Sequence, residues 1–449
     1  SGHGHVSSGT APPAALVAVV QDGRVALAVG DDGVPRLPAL PGWDGRAWRY
    51  GAAVADAEAA GRALPPALTA PLTHLAPLDF GGDDRPPVAL AEPRGSAVAA
   101  EAWWEPGEPF PAGLSEPAAR ALVAALAGEG EGPAWPPFAR PGATALLAAV
   151  AAEEPDLRGR FLADGGYGME QVLGWALSSV WRDADVVLKL THPAWPGEPA
   201  VTRLLAELAP GVVPAVVAAG SARTSAGERV PYLAQRRVVD PPEPEDGDGE
   251  ARRERVLRAL EALAELQRAS ARRLDDLTAA GAAPRGPEAT ADRLEGLWAH
   301  VRPRLDPERA ALLPELDARV RAVLRELASA PPVLVHGDLH LGNVLADEAG
   351  RPQLIDWTDA AVAWPGVDAY LLLHEVPADG HVRDRLTAAY VGALGPEHEA
   401  GVRLGLEVAP VYHALSYLAI GAFLPRTLAA AFGGTVARFV ERQLEASGL

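Results

Sequence analysis

The stretch His336-Gly337-Asp338-Leu339-His340-Leu341-Gly342-Asn343 decides the fold of this chain. It lies between two apolar runs typical of short strands, Val333–Val335 and Val344–Ala346, and is therefore predicted to be a loop. The carboxylate of Asp338 can accept a proton from a hydroxyl group. The amide oxygen of Asn343 can hold a magnesium ion. A loop lets both side chains point into one cavity.

A second carboxylate, Asp356, follows in Leu354-Ile355-Asp356-Trp357. We predict a strand over Gln353–Asp356, which the turn from Asp347 to Pro352 folds back beside the preceding strand. This places Asp356 near Asn343. Two oxygen ligands together with nucleotide phosphates suit Mg²⁺, which usually keeps several waters and few protein ligands.

The chain contains a single lysine and a single asparagine, Lys189 and Asn343. Its other positive charges are arginines, and its abundant Ala, Gly and Pro indicate a GC-rich genome that disfavours lysine and asparagine codons. Lys189 lies in the apolar run 186–190, which predicts a strand. A lysine kept against this bias indicates a role for a compact ammonium that a planar guanidinium cannot fill.

These residues make the chain resemble the aminoglycoside phosphotransferase family, the protein-kinase-like small-molecule kinases that include choline kinases and maltokinases. The family pattern His-Gly-Asp-x-x-x-x-Asn, followed by Ile-Asp-Trp or Ile-Asp-Phe, is complete here, and the resemblance covers about residues 143–449. It implies an α+β, bilobal protein-kinase-like fold. Residues 143–240 would form a small β-rich lobe, for which the apolar runs predict strands over 173–180, 186–190, 212–218 and 232–238. Residues 241–449 would form a large, mainly helical lobe with the catalytic loop 336–343.

The resemblance also implies roles for the site residues. Asp338 would act as catalytic base, and Asn343 and Asp356 would bind Mg²⁺. Lys189 would grip the phosphates of ATP, or of GTP as an alternative donor. Its partner would be a glutamate on the following helix. Glu198 fits the family's helix pattern best, with Glu207 as the alternative.

The nucleotide is expected to meet two backbone segments. The loop 174–180 would cover the phosphates through its backbone, although it lacks a Gly-x-Gly-x-x-Gly signature, and the Gly-rich turn Asp164–Gly168 is the alternative. The segment 233–238 joins the lobes and would read the edge of the base. The residues expected to contribute to nucleotide binding in these segments are Gly174, Ser178, Ser179, Gln235, Arg236 and Arg237.

Further polar residues are expected to support the loop or to face the substrate. Asp368 would brace the catalytic loop, His336 would orient it, and His340 would be structural or substrate-facing. The candidates for the lining of the substrate pocket are Asp359, Trp364, His374, Glu375, Tyr412 and His413.

Residues 11–142 are predicted to form an additional N-terminal α+β cap domain that packs on the small lobe and orders it. An Asp-Gly hairpin joins strands over 16–20 and 25–29. A helix over 52–63, a strand near 97–104 and a helix capped by Ser115 follow. This order faintly resembles a Nudix fold, but the Nudix catalytic box is absent, which argues against pyrophosphohydrolase activity.

Composition excludes several classes of protein. The net charge of −19 argues against a nucleic-acid partner. With no cysteine, neither disulfides nor cysteine zinc sites can form, and a cytoplasmic location is expected. The uncharged run Val408–Pro425 is predicted to be a buried helix and not a membrane span, because it holds His413 and two prolines. Residues 1–10 are expected to be a tag remnant, and the protein a monomer or homodimer.

The sequence therefore predicts an ATP- and Mg²⁺-dependent O-phosphotransferase acting on a hydroxyl of a small molecule. An aminoglycoside, an amino sugar or a related antibiotic or sugar is the expected substrate, with antibiotic resistance as the implied role. The alternative is a nucleotide-binding pseudokinase with a regulatory or scaffold role, although all base and metal positions are filled. A protein kinase is disfavoured because Asp-Phe-Gly and Ala-Pro-Glu segments are missing.

Overall fold

The computed structural model describes residues 15–21, 24–40, 52–53, 76–79, 88–91, 100–127, 142–163, 166–174, 177–224, 227–239, 249–377, 379–424 and 426–449. The chain forms two compact units. The first comprises Ser1–Asp183 and Arg223–Glu228, and the second comprises Ala184–Ala222 and Arg229–Leu449. The predicted domain boundaries at residues 142 and 240 stay predictions. The prediction for residues 1–10 lies outside the described residues, and so do residues 128–141 of the linker predicted over Gly128–Gly142 and residues 240–248 of the loop predicted over Asp240–Glu250.

The strands are β1 Ala15–Gln21, β2 Arg24–Val29, β3 Pro35–Arg36, β4 Ala39–Leu40, β5 Ala52–Ala53, β6 Ala76–Asp79, β7 Val88–Ala91, β8 Ala102–Trp104, β9 Leu162–Ala163, β10 Gly166–Tyr167, β11 Glu170–Gly174, β12 Ser178–Arg182, β13 Val186–Thr191, β14 Val216–Arg223, β15 Arg229–Arg236, β16 Ala283–Pro284, β17 Val333–Val335, β18 Val344–Ala346, β19 Pro352–Leu354 and β20 Ala361–Ala363.

The α-helices are α1 Glu116–Ala127, α2 Gly142–Glu153, α3 Arg158–Phe161, α4 Glu198–Leu208, α5 Gly249–Ser270, α6 Leu274–Ala280, α7 Pro287–Ala291, α8 Leu294–Val301, α9 Pro307–Ala311, α10 Leu313–Leu327, α11 Val367–His374, α12 Gly380–Leu394, α13 Glu399–Gly421 and α14 Arg426–Ala446. The predicted α+β class is confirmed.

The first unit is built on a sheet with the strand order β3-β2-β1-β7-β6. The predicted hairpin is confirmed, because β1 and β2 pair antiparallel with Gln21 opposite Arg24. The predicted cap of α1 is also present, since the hydroxyl of Ser115 accepts a hydrogen bond from the backbone N–H of Ala118 at 3.4 Å. Leu122 and Leu126 of α1 are buried in one cluster with the sheet residues Val25 and Leu27.

Two predictions for the first unit are wrong in part. The helix expected over 52–63 does not include Ala52–Ala53, which form a strand paired with Leu173–Gly174, while residues 54–63 lie outside the described residues. The single strand expected over 173–180 is a β-hairpin, because Gly174 of β11 pairs with Ser179 of β12. A continuous apolar run hid the reversal, since both strands contribute apolar residues to it.

The second unit begins with a sheet of order β14-β15-β13, in which Lys189 of β13 lies opposite Leu233 of β15. The strand predicted over 212–218 starts only at Val216. Val212 and Val213 are fully buried, but the N–H of Val212 donates to the carbonyl of Ala209 in a turn. The apolar pattern at Val212 and Val213 therefore reflects their burial and not an extended backbone.

Short strands position the catalytic loop. The predicted fold-back is confirmed, because β18 and β19 pair antiparallel and the N–H of Ile355 donates to the carbonyl of Asn343 at 3.1 Å. On the other side, β17 pairs with β20, a strand that was not predicted. The loop 336–343 is therefore held at both ends by backbone hydrogen bonds.

The helices of the second unit enclose two large apolar clusters, one around α5 and α12 and the other around α10, α13 and α14. The helix predicted at Val408–Pro425 is confirmed for residues 408–421, which belong to α13, and its burial is confirmed for residues 408–416. Within the described part of the chain, no helix is long and apolar enough to cross a membrane.

Candidate active site

The site is centred on the amine of Lys189. Its Nζ donates hydrogen bonds to Glu198 Oε1 at 2.8 Å, to Asp356 Oδ1 at 2.6 Å and to Thr358 Oγ1 at 2.6 Å. The lysine side chain is only 13% exposed. All three N–H donors of the ammonium are thus used by oxygens from a helix start and from the segment after β19. We call this set of four residues the lysine cluster.

Glu198 is the first residue of α4 and is almost fully buried. Its second oxygen accepts a hydrogen bond from the hydroxyl of Thr191 at 2.7 Å. The following Pro199 does not disturb this position, because proline is tolerated in the first turn of a helix, where its missing N–H is not needed. A carboxylate is also favoured there by the helix dipole. Of the two glutamates considered, the structure pairs Glu198 with Lys189.

Electrostatics keep Lys189 and Asp356 ionised. Burial lowers the pKa of Lys189, but the carboxylates of Asp356 and Glu198 outweigh this effect and raise the pKa above its usual value. Burial likewise raises the pKa of Asp356, yet the Lys189 ammonium and the Thr358 hydroxyl hold it well below its usual range. Asp356 has φ +66°, and it is the single non-glycine residue with positive φ in the described chain. Its backbone is therefore strained by its position.

The catalytic loop is held by a buried histidine. His336 Nε2 lies 2.7 Å from the carbonyl oxygen of Ile355, and its Nδ1 accepts the backbone N–H of Asp338 at 3.3 Å. The proton of the neutral ring therefore sits on Nε2. Burial lowers the pKa of His336 to about 4, which keeps the ring neutral.

Asp368, at the start of α11, holds the catalytic loop through hydrogen bonds to its backbone. Its two oxygens accept the N–H groups of His336 at 2.7 Å and of Gly337 at 2.9 Å. Gly337 has φ +93°, and a Cβ there would lie 2.5 Å from the carbonyl oxygen of Asp359. Only glycine fits this position, which locks the loop against the segment that follows Asp356.

Asp338 and Asn343 meet within the loop. Asn343 Nδ2 donates to the carbonyl of Asp338 at 2.9 Å, which leaves the amide oxygen of Asn343 as an acceptor for another group. Burial and the charge of Asp356 raise the pKa of Asp338 to about 6, against the opposing effect of Lys189. The pKa of the Asp338 carboxyl thus lies close to neutral pH, as suits a general base.

The donor set fits a magnesium ion. Asp356 Oδ1 is used by Lys189 and Thr358, whereas Oδ2 makes no hydrogen bond with a described residue. Together with the amide oxygen of Asn343 it supplies two hard oxygen ligands, the kind of sparse protein set that Mg²⁺ takes beside phosphates. Asn343 and Asp356 are therefore the residues that would hold the ion.

His340 contributes to the shape of the loop. Its Nδ1 accepts the N–H of Gly342 at 3.0 Å, and its Nε2 lies 3.8 Å from Asp338 Oδ2, beyond hydrogen-bond distance. The contact within the loop agrees with the structural alternative for this residue.

In the segments expected to bind the nucleotide, some polar groups already form hydrogen bonds within the protein. Gly174, Ser178 and Ser179 belong to the first unit, where the Ser179 hydroxyl accepts the indole N–H of Trp181 at 2.8 Å. Gln235 donates its side-chain amide to Pro214 O at 3.1 Å. The backbone N–H groups of Arg236 and Arg237 donate to Ala215 O and Asp185 O. These two groups are therefore not free to read a base, and the nucleotide roles of both segments stay predictions.

Of the six pocket candidates, Asp359 lines a cavity of about 260 Å³. Trp364, Tyr412 and His413 are instead almost fully buried, because α13 packs them into the helical core. His374 stacks on Tyr370 with ring centroids 4.2 Å apart. Glu375 accepts the N–H of Leu341 at 3.4 Å.

Sequence reasoning missed three residues of this region: Thr358, Arg285 and Arg293. Thr358 joins the lysine cluster, and the two arginines line the cavity beside Asp359. Thr358 is two residues after Asp356, and this short spacing is the sequence signal by which it could have been found. The arginines carried no signal, because the sequence is rich in arginine throughout its helical part.

A comparison with models of protein families indicates the family of the chain. A family model described as the phosphotransferase enzyme family matches residues 170–403, more than half of the chain. The match includes Lys189, the loop 336–343 and Asp356. No curated protein matches the chain.

Several solved structures are similar to the chain. The GDP complex of a mutant aminoglycoside 2′-phosphotransferase-IIIa has 18% identity and a TM-score of 0.47, over 67% of this chain and 96% of that chain. A choline/ethanolamine kinase family protein from Mesorhizobium loti has 19% identity and a TM-score of 0.45, over 67% and 97%. A macrolide 2′-phosphotransferase from Brachybacterium faecium has 23% identity and a TM-score of 0.43, over 65% and 98%.

Proposed function

Because this chain belongs to the phosphotransferase enzyme family, we propose that it transfers the γ-phosphoryl group of ATP to a hydroxyl group of a small molecule, with Mg²⁺ as cofactor. GTP is the alternative donor. The amino sugars, aminoglycosides and related sugars or antibiotics expected from the resemblance are the first acceptors to test, as alcohols on which such a transfer yields a phosphate ester.

One observation carries the proposal. The single lysine of the chain contacts both Glu198 and Asp356, two residues far apart in sequence, and Asp356 lies beside the loop of Asp338 and Asn343. A cation bridged in this way is the arrangement that orients a lysine toward nucleotide phosphates in kinases. A structural ion pair alone would need neither the strained Asp356 backbone nor the adjoining Asp338.

The chemistry follows from the positions of these groups. The acceptor oxygen forms a bond to the γ-phosphorus, the bond from that phosphorus to the β–γ bridging oxygen breaks, and ADP leaves. Asp338 takes the hydroxyl proton as the new bond forms. Lys189 balances phosphate charge, and Glu198 holds the ammonium in place. Mg²⁺, when bound, supplies further charge neutralisation for the phosphates. Catalysis is then mainly positioning and charge stabilisation.

Asp338→Asn tests the proposal directly. The amide cannot take the proton, so acceptor-dependent ADP release should fall about 100- to 10,000-fold, the usual contribution of a general base. ADP release is measured with a coupled assay across aminoglycosides, amino sugars and neutral sugars, and nucleotide affinity is measured by calorimetry.

The matched control is Asp347→Asn, in the turn between β18 and β19, which should keep wild-type turnover. Unreduced acceptor-dependent turnover in Asp338→Asn refutes the assigned base. Nucleotide binding without ADP release from the wild-type protein, with every acceptor tried, would instead favour the pseudokinase alternative.

A further inference from the structure

The cavity of about 260 Å³ beside Asp359 has an unusual lining for a protein with a net charge of −19. Its walls come from the start of α4, from the segment 357–360, from the last turns of α13 and from the chain before α8. Two arginines, Arg285 and Arg293, line it. All of these elements belong to the second unit. We call this space the arginine cavity.

The arginine cavity adjoins the catalytic loop. Thr358 and Asp359 form part of its wall, and Thr358 bonds to Lys189 at 2.6 Å. The backbone of Asp359 packs so closely on Gly337 that no side chain fits between them. Gly337 is the neighbour of Asp338. The wall of the cavity at Asp359 therefore contacts the backbone one residue before the proposed base, Asp338.

Arg285 is held rigidly. Its Nη1 donates to the Ser416 hydroxyl at 2.6 Å, and its Nη2 donates to the carbonyl of Tyr412 at 2.9 Å. Its guanidinium carbon lies 3.6 Å from the centroid of the Tyr412 ring, a cation–π contact. These neutral partners fix the direction of the guanidinium without cancelling its charge, and they leave further N–H donors for another group.

The positive charge of the cavity is not balanced from within. In the described chain, neither Arg285 nor Arg293 has a carboxylate within the 4.0 Å of an ion pair. Burial and the charge of Arg285 lower the pKa of Arg293, which shows that the two guanidinium groups repel each other. Glu198 also lines the cavity but is used by Lys189 and Thr191.

Asp359 is the remaining carboxyl group of the cavity. Burial, together with the charges of Asp338 and Asp356, raises its pKa to about 7, against the opposing charges of Arg285 and Lys189. Near neutral pH it therefore carries only part of a negative charge. Asp359 thus offsets only part of the positive charge of the two arginines.

We propose that the arginine cavity binds the acceptor, and that this acceptor is a small hydroxy compound with an anionic group held by Arg285 and Arg293. This proposal rests on the proposed function, which places the phosphoryl transfer at Asp338. Guanidinium groups bind carboxylate and phosphate oxygens through paired hydrogen bonds, so either group serves. The volume is slightly below the usual range for small-molecule pockets and suits about one sugar ring. The acceptor is then a small acid, and not one of the polycationic aminoglycosides expected from the resemblance.

The test uses acceptors that differ only in charge. Wild-type protein is assayed for acceptor-dependent ADP release with glucose, glucosamine, glucuronate and glucose 6-phosphate, and with glycerate beside glyceramide. The shift in melting temperature caused by each compound is measured without nucleotide. We expect an acid of this panel to give a higher kcat/KM and a larger thermal shift than its neutral and cationic counterparts, and the carboxylate and phosphate members decide which anion is preferred.

Variants connect this preference to the cavity. Arg293→Gln should raise the KM for the preferred acid about tenfold or more, because a charge-assisted hydrogen bond is lost, and Arg293→Lys should recover part of that loss. Arg285→Lys should raise the same KM. Arg385→Gln, an exposed arginine on α12 outside the cavity, should leave KM and the thermal shifts unchanged.

The outcomes separate the two proposals. Equal or better turnover and binding of neutral or cationic members overturns the anionic acceptor while the phosphotransfer stands. An acid preference that survives Arg293→Gln and Arg285→Lys also overturns it. If no compound releases ADP, the proposed function loses its support. The thermal shifts then test anion binding in the cavity by themselves. A shift that only acids cause, and that Arg293→Gln removes, supports anion binding. The absence of such a shift overturns the proposal.

Discussion

The second unit holds two clusters of positive charge that differ in how they are neutralised. The lysine cluster places one ammonium against two carboxylates, with contacts of 2.6 and 2.8 Å. The arginine cavity is lined by Arg285 and Arg293 together with Glu198, which is paired with Lys189, and Asp359, whose pKa is raised to about 7.

The difference shows how charge is distributed in a binding site. Removing the cation of the lysine cluster should cost stability, because it leaves buried carboxylates without a partner. Arginines without a paired carboxylate contribute little or cost stability until an anion binds. The same kind of residue is thus structural in one place and available for binding in the other. The measurements below test this contrast, from the largest expected effect to the smallest.

Lys189→Met should have the largest effect. It leaves the buried Glu198 without its cation, and we expect the free energy of unfolding to fall by about 3 kcal/mol. Activity should fall at least 100-fold, because the phosphate charge loses a positioned cation. Urea unfolding and the ADP-release assay measure the two losses.

The double variant Lys189→Met with Glu198→Gln separates these losses. The glutamine removes the uncompensated charge and keeps an acceptor for Thr191, so stability should recover in part while activity stays low. Wild-type stability in Lys189→Met would show that the carboxylates of the lysine cluster do not depend on the lysine. The lysine cluster and the arginine cavity would then not differ in this respect.

Acid should destabilise the protein through His413, which lies near Arg285. Burial and the charge of Arg285 lower the pKa of this histidine to about 3. The unfolded chain therefore takes up a proton near the ordinary pKa of 6.5 that the folded chain refuses. The free energy of unfolding falls as pH drops below about 6.5, by about 1.4 kcal/mol per pH unit from this group.

Urea unfolding at pH 7 and pH 5 measures this effect. The loss between the two pH values should be about 2 kcal/mol smaller in His413→Gln than in the wild type. The exposed His381→Gln should retain the full loss. An unchanged pH dependence in His413→Gln would mean that His413 takes up a proton in the folded state as easily as in the unfolded state.

Arg293→Gln should have the smallest effect on stability. Because Arg293 forms no ion pair with the described residues, its removal should change the free energy of unfolding by less than about 0.5 kcal/mol, like an ordinary surface substitution. Arg385→Gln provides the reference. A loss above 1 kcal/mol would show that Arg293 is already neutralised within the fold, and the two clusters would then be alike.

Local sequence patterns predicted the parts of the site that lie close together in the chain. The loop 336–343, the return strand toward Asp356 and the brace at Asp368 depend on short-range turns and pairing, which a local pattern records. The partner of Lys189 was also found, because the choice lay between two glutamates on one helix.

Parts that depend on distant packing could not be predicted. Arg285 lies 131 residues from Ser416, to which it bonds, and no local pattern marks that contact. The strand Ala361–Ala363 has a composition that suits a helix, yet it pairs with β17. The backbone donors of Arg236 and Arg237 are used because of strand register, and side-chain identity does not reveal register.

The position of Lys189 has a practical consequence. It is the one lysine side chain of the sequence, and its amine is enclosed by three hydrogen bonds. Acylating reagents attack the unprotonated amine, so they modify this side chain only in the moments when it leaves its carboxylates. The rate of acylation at Lys189 therefore measures how often the hydrogen bonds of its amine open. Mass spectrometry can follow this rate in the unaltered protein.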